Sequence, residues 1–102
     1  MLERDVIRKT HALIKNLPIE RVRMTMMQGA SAGWPDYLYM LPNGQSIWIE
    51  YKRPGGKPTA LQKHRLALLE ELGHACAVAD DPVEAARLIT EAFKAAKAHR
   101  VR

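Results

Sequence analysis

Two short segments near the middle of the chain carry side chains suited to holding a divalent cation. The first, residues 33–36, reads Gly-Trp-Pro-Asp, and the second, residues 50–52, reads Glu-Tyr-Lys. Because successive side chains of a strand point to opposite faces, Glu50 and Lys52 share one face and Tyr51 points away. Carboxylates that hold a metal ion and an amine that orients a water molecule are suited to hydrolysing a phosphodiester.

The turn at residues 42–44 decides whether Asp36 joins Glu50. A two-residue Asn-Gly turn would make Pro42 part of the closing pair, although Pro42 has no N–H to donate. That turn would also set Asp36 opposite Tyr51, since a slip of one residue moves every side chain to the other face. The two-residue turn is therefore disfavoured.

A three-residue turn suits the same sequence better. Pro42 takes the first corner of a type I turn, Gly44 takes a left-handed conformation, and Leu41 pairs with Gln45. Counting back along both strands then places residue 36 opposite residue 50. We predict this register.

The remaining pattern predicts an α/β fold with the order helix, three strands, helix, strand, helix. The apolar repeat of the first helix runs to Leu17 and stops at Pro18, Thr59 and Gln62 open the second helix as a capping box, and Asp81 with Glu84 opens the third. The strands are predicted at residues 21–27, about 36–41, 46–52 and about 74–79. We expect one domain over residues 1–102, with a basic tail at residues 94–102 that frays.

Composition narrows the class of protein. The chain has 102 residues, 16 Lys and Arg against 11 Asp and Glu, and a formal charge of +5. Such a balance is compatible with a polyanionic partner such as nucleic acid. Cys76 has no second cysteine to pair with, so we expect a reducing setting, the cytoplasm of a bacterium or infected host cell. Because no apolar stretch approaches the length needed to span a bilayer, we expect no membrane partner.

These residues and their order resemble the VRR-NUC (virus-type replication-repair nuclease) group of the PD-(D/E)xK nuclease superfamily. The resemblance covers most of the chain and rests on an acid in the first helix, the Gly-x-Pro-Asp and Glu-x-Lys strings, a basic loop rich in Gly and Pro at residues 53–58, and Gln62. It implies a restriction-endonuclease-like mixed sheet flanked by helices and a DNA endonuclease that uses Mg²⁺ or Mn²⁺. Free-standing members of this size resemble homodimers that act on branched DNA such as four-way junctions, so the resemblance implies the same assembly and substrate here.

The resemblance also assigns roles to individual residues. Asp36, Glu50 and the backbone carbonyl of Tyr51 would bind the metal, and Glu3 would support it directly or through a water molecule. Lys52 would orient the attacking water, and Gln62 would lie at the edge of the site. Tyr51 departs from the small aliphatic residue common between the family's Glu and Lys, but its side chain should point away from the site.

Each residue also has an ordinary structural interpretation. Asp36 could close its turn, Gln62 could act in the capping box alone, and an acid such as Glu3 is favoured at any helix start by the helix dipole. Three basic residues near the loop, Lys57, Lys63 and Arg65, could contact phosphates or form a solvated rim. Two alternative functions stay open: a non-catalytic DNA-binding module, and a nuclease for flaps, linear duplex or RNA.

Overall fold

The computed structural model describes residues 1–24 and 32–99, and these form one layered α/β unit. The elements are α1 (Glu3–Leu13), β1 (Glu20–Arg23), β2 (Tyr37–Met40), β3 (Ser46–Tyr51), α2 (Ala60–Glu71), β4 (Ala75–Ala79) and α3 (Pro82–Ala98). The described strands make a mixed sheet in the order β1-β2-β3-β4, antiparallel except for the parallel pair β3 and β4. The predicted fold class and order of elements are confirmed.

The hairpin between β2 and β3 has the predicted register. Tyr37 pairs with Ile49, and the Leu41 N–H donates to the Gln45 carbonyl over 2.8 Å, which closes a three-residue turn. The turn itself differs from the prediction, because Asn43 (φ 59°) as well as Gly44 (φ 72°) is left-handed. Asn is one of the few residues that tolerate this conformation.

A contact with α3 fixes that turn. The side-chain amide of Asn43 donates to the Ala96 carbonyl over 3.0 Å. The predicted tail is therefore helical as far as Ala98, with Ala96 buried, while residues 100–102 lie outside the described part. The basic composition of residues 94–102 suggested fraying from residue 94 onwards. The hydrogen bond between Asn43 and Ala96 stabilises α3 beyond that point.

The core lies between β3 and the helices α1 and α3. Buried side chains of alternate β3 residues meet apolar side chains from both helices, namely Ile47, Ile49 and Tyr51 with Val6, Ile89 and Phe93. Helix α2 packs against β4. Glu50 projects from the opposite face of this central strand and is buried as well.

Several boundaries differ from the predictions. Helix α1 ends at Leu13 instead of reaching Leu17, since the chain continues in turns towards Pro18. Strand β1 is seen at Glu20–Arg23, and the rest of the strand predicted for residues 21–27 lies largely outside the described residues. None of the described helices is long and apolar enough to cross a membrane.

The two later helices begin at the predicted caps. Thr59 and Gln62 form a reciprocal capping box. The Asp81 carboxylate accepts the Glu84 N–H over 2.9 Å. Glu84 does not complete the predicted box, because its carboxylate pairs with Arg87 one turn further along.

Candidate active site

Asp36 lies at the mouth of the hairpin, one residue before β2. Continuing the strand register by one step places it opposite Glu50. One oxygen of its carboxylate accepts the Tyr51 backbone N–H over 2.8 Å, and its own carbonyl accepts the Met24 N–H over 2.7 Å. Asp36 is thus held by hydrogen bonds from both neighbouring strand segments.

The Glu50 carboxylate is the most unusual group of the site. Only 1% of the residue is exposed, and neither carboxylate oxygen has a hydrogen-bond donor among residues 1–24 and 32–99. Burial, and then the adjacent Asp36 carboxylate, raise the pKa of Glu50 to about 9, although Lys52 acts in the opposite direction. Two ionised carboxylates are both acceptors, so neither can satisfy the other unless they share a proton or a cation.

Glu3 brings a third acid to the same place from the start of α1. Burial raises the pKa of Glu3, followed by the charge of Asp36, and Lys52 lowers it. The capping function at this helix belongs to a different acid, since the Asp5 carboxylate accepts the Leu2 N–H over 2.9 Å. The hydrogen bond that caps this helix thus comes from Asp5 and not from Glu3.

This group of oxygen atoms fits a hard divalent cation. Buried carboxylates without donors are stable as anions only beside positive charge, and Mg²⁺ and Mn²⁺ prefer oxygen ligands. Among residues 1–24 and 32–99, no three His, Cys, Asp or Glu side chains form a ready set of metal ligands. A cation at this place would meet the carboxylates of Asp36 and Glu50, with that of Glu3 nearby.

The Tyr51 side chain points away from the carboxylates, as its strand position requires. Its hydroxyl hydrogen-bonds to that of Tyr39 over 2.6 Å, and the Tyr39 hydroxyl also bonds to Nε2 of His11 over 2.8 Å. Burial raises the pKa of Tyr51 to about 12 and lowers the pKa of His11 to about 4, the latter helped by Arg21. All three side chains are therefore neutral near pH 7.

Gln62 is hydrogen-bonded to Thr59 at the start of α2. Its side-chain oxygen accepts the Thr59 N–H over 2.8 Å, and its own N–H donates to the Thr59 hydroxyl over 3.2 Å. The capping-box interpretation thus describes the contacts of this side chain. A role for Gln62 at the edge of the site stays a prediction.

The three basic residues near the loop lie in different settings. Lys57 lines a cavity beside Glu3 and Lys52, whereas Lys63 is exposed on α2. Arg65 donates from Nε to the Ala32 carbonyl over 3.2 Å, and its guanidinium carbon lies 4.7 Å from the ring centroid of Trp34. Arg65 therefore braces the loop that leads to Asp36.

Four arginines that the sequence analysis did not select lie beside the carboxylates. Arg4 and Arg8 project from α1, and Arg21 and Arg23 project from β1, into a cavity that also contains Glu3 and Asp36. The spacing i, i+4 on a helix and i, i+2 on a strand puts each pair on one face. That spacing was visible in the sequence, but it did not show that the two faces meet.

Comparisons with known proteins agree with this description. No family model matches the chain. It is 36% identical over 80 residues to "Putative nuclease p44" of Acyrthosiphon pisum secondary endosymbiont phage 1, across 78% of this chain and 85% of that protein. Two solved structures share its fold. A "VRR_NUC domain" aligns with a TM-score of 0.73 and 21% identity, over 86% of this chain and 94% of that one. A "VRR_NUC domain protein" aligns with a TM-score of 0.74 and 20% identity, over 92% and 89%.

Proposed function

Because the chain belongs to the VRR-NUC group of the PD-(D/E)xK nuclease superfamily, we propose that it is a DNA endonuclease that depends on Mg²⁺ or Mn²⁺. The observation that carries the proposal is the Glu50 carboxyl group, which is buried beside a second carboxylate with no hydrogen-bond donor in the described part of the chain. Burying an ionised group in this way costs several kcal/mol. A bound cation would offset that cost.

The proposed metal ligands are the carboxylates of Asp36 and Glu50 and the backbone carbonyl of Tyr51. Glu3 faces the same group and supports it from α1. When bound, the cation lowers the pKa of a water molecule and stabilises the negative charge that develops on the phosphate. The protein holds Asp36 in place through the Tyr51 N–H and excludes water from around Glu50.

Lys52 is the proposed positioning group for the attacking water. It follows Glu50 by two residues, directly after the end of β3, and its backbone N–H donates to the Ala79 carbonyl of β4 over 2.9 Å. The side chain borders a cavity together with Glu3. An ammonium fixed at this point can hold a nucleophile in line and stabilise charge in the transition state.

For the substrate we propose branched DNA, cut by a symmetric homodimer. The support is the family resemblance and the net charge of +5, which favours a polyanion. A two-fold axis would present two active sites to two strands of a junction. Analytical ultracentrifugation tests the assembly, and a monomer at micromolar concentration would overturn the dimer.

The catalytic proposal is tested with the wild type, Asp36→Asn and a matched control, Glu71→Gln, whose side chain is exposed at the end of α2. Each protein is incubated in Mg²⁺ or Mn²⁺ with linear, flap, four-way and single-stranded DNA and with RNA. We expect the wild type and the control to cut DNA and Asp36→Asn to lose both cleavage and Mn²⁺ binding by calorimetry.

Two other outcomes are informative. If the wild type binds DNA but cuts it no faster than Asp36→Asn does, the chain is a non-catalytic DNA-binding module. If it cuts linear duplex and four-way junction at equal rates, the preference for branched DNA is wrong and the nuclease assignment stands.

A further inference from the structure

Two cavities flank the candidate active site, and both are rich in positive charge. The α1–β1 cavity has a volume of about 570 Å³ and is lined by residues that include Arg4, Arg8, Arg21 and Arg23. The α1–loop cavity has a volume of about 500 Å³ and lies between the start of α1 and the basic loop after β3. Neither cavity was predicted from the sequence.

The walls of the α1–β1 cavity carry regularly spaced cations. Arg4 and Arg8 are one turn apart, about 6 Å along α1, and Arg21 and Arg23 are about 7 Å apart along the edge strand β1. All four residues are exposed. The acids of this cavity, Glu3 and Asp36, belong to the candidate metal site at one end of it.

The histidine that lines this cavity adds no positive charge near pH 7. His11 also lines the α1–β1 cavity, but its ring is bonded to the Tyr39 hydroxyl and its pKa is lowered to about 4, chiefly by burial. Arg8 has a surface partner, Asp5, at 3.7 Å. Exposed pairs of this kind are weak, so Arg8 can exchange that partner for a phosphate.

The α1–loop cavity continues the basic surface on the other side of Glu3. Its charged lining consists of Lys52, Arg53 and Lys57 together with Glu3 and Arg4. Gly56 keeps the loop close to β3, because a Cβ atom there would lie 3.0 Å from the Arg53 carbonyl oxygen and 3.3 Å from the Lys52 Cβ. The loop thereby holds two exposed cations, Arg53 and Lys57, next to Lys52.

The two cavities share Glu3 and Arg4, so they meet at the start of α1 beside the carboxylates. We propose that one DNA backbone runs through both cavities, with the phosphates on one side of the cleavage site held by Arg8, Arg21 and Arg23 and those on the other side held by Arg53 and Lys57. The proposal rests on the proposed function. Cations on both sides of the site suit a continuous polyanion better than a single small phosphate.

The test measures DNA binding separately from cleavage. A fluorescein-labelled duplex of about 20 base pairs is titrated in EDTA, and anisotropy is recorded at several salt concentrations between about 50 and 200 mM. The variants are Arg21→Ala/Arg23→Ala for one cavity and Arg53→Ala/Lys57→Ala for the other. The control is Lys9→Ala/Lys94→Ala, which removes two exposed positive charges that line neither cavity.

Each cavity variant should bind on the order of tenfold more weakly than the control, and its slope of log K against log salt should be smaller by about 1.8, as expected for two lost phosphate contacts. Circular dichroism melts check that each variant is folded at the temperature of the titration. If either cavity variant binds with the affinity and slope of the control, the path through both cavities is wrong.

Cleavage assays in Mn²⁺ distinguish this failure from that of the proposed function. Cavity variants that lose binding support the path even if the wild type cuts nothing. Cavity variants that bind and cut like the control overturn the path and leave the nuclease assignment intact.

Discussion

Residues 50 and 51 are neighbours in β3, yet they belong to two buried polar groups of opposite character. On one face, the carboxylate cluster of Glu3, Asp36 and Glu50 contains a buried carboxyl group that has no donor among the described residues and whose pKa is raised to about 9. On the other face, the tyrosine cluster of His11, Tyr39 and Tyr51 is neutral and linked by hydrogen bonds of 2.6 and 2.8 Å.

The difference separates two uses of buried polar groups. A neutral network in which each hydroxyl has a partner stabilises the fold and fixes the strand and helix that carry it. A buried anion without a donor destabilises the fold unless something else supplies positive charge. The two groups should therefore respond in opposite ways to substitution, pH and metal.

The largest effect is expected from Glu50→Gln, which keeps the shape of the side chain and removes its charge. Cleavage of DNA in Mn²⁺ should fall by at least ~100-fold, because a proposed metal ligand is lost. The matched change on the other face, Tyr51→Phe, should leave the cleavage rate within about fivefold, since its hydroxyl touches the core alone. Equal losses in both variants would contradict the separation of the two clusters.

The second prediction concerns the stability of the metal-free protein between about pH 5 and 9. The pKa of Glu50 is raised from an ordinary 4.5 to about 9, so in this window the folded state keeps a proton that the unfolded chain has released. The free energy of unfolding should then fall by several kcal/mol as the pH rises, at about 1.4 kcal/mol for each effective pKa unit.

Urea unfolding at several pH values in EDTA measures this fall. Glu50→Gln should show a flatter profile and, above pH 7, greater stability than the wild type. Saturating Mn²⁺ should raise the stability of the wild type and leave that of the variant nearly unchanged, because a ligand stabilises the state that binds it. A wild-type profile as flat as that of the variant would mean that Glu50 ionises without cost.

The third prediction addresses the tyrosine cluster. Tyr39→Phe removes the hydroxyl that bonds both His11 and Tyr51, and leaves two buried groups without that partner. The expected loss of stability is about 2 kcal/mol, with a Mn²⁺ affinity close to that of the wild type. Denaturant unfolding and calorimetry measure the two quantities, and a large loss of metal affinity would show that the clusters are coupled through β3.

The smallest effect is expected from the loop that leads to Asp36. Gly33 has φ +84°, and a Cβ atom there would lie 2.5 Å from Cγ of Leu61. Gly33→Ala should cost about 1.5 kcal/mol and weaken Mn²⁺ binding by displacing the loop that Arg65 braces. Gly73→Ala is the matched control, because Gly73 has φ +86° and open space around it. Equal metal affinities in the two variants would show that this loop does not contribute to metal binding.

The predictions from the sequence were most accurate where the deciding interactions are local. Pro42 lacks an N–H and Gly44 tolerates a left-handed conformation, and these two properties selected the register that sets Asp36 opposite Glu50. The caps at Thr59 and Asp81 were likewise found from short-range pairs. The left-handed Asn43 and the helical start of the tail were missed, because the two segments contact each other from distant parts of the chain. The end of α1 was placed too late, because local turns before Pro18 were not anticipated.

The sequence by itself determined the α/β order of elements, the hairpin register and the carboxylates that face each other across it. Only the tertiary structure decided that Glu50 is buried without a donor among the described residues, and that the arginines of α1 and β1 line one cavity. The physical reason is the distance along the chain over which each kind of interaction acts. Turn chemistry and strand alternation act over a few residues, whereas desolvation and the meeting of two charged faces depend on how distant elements pack.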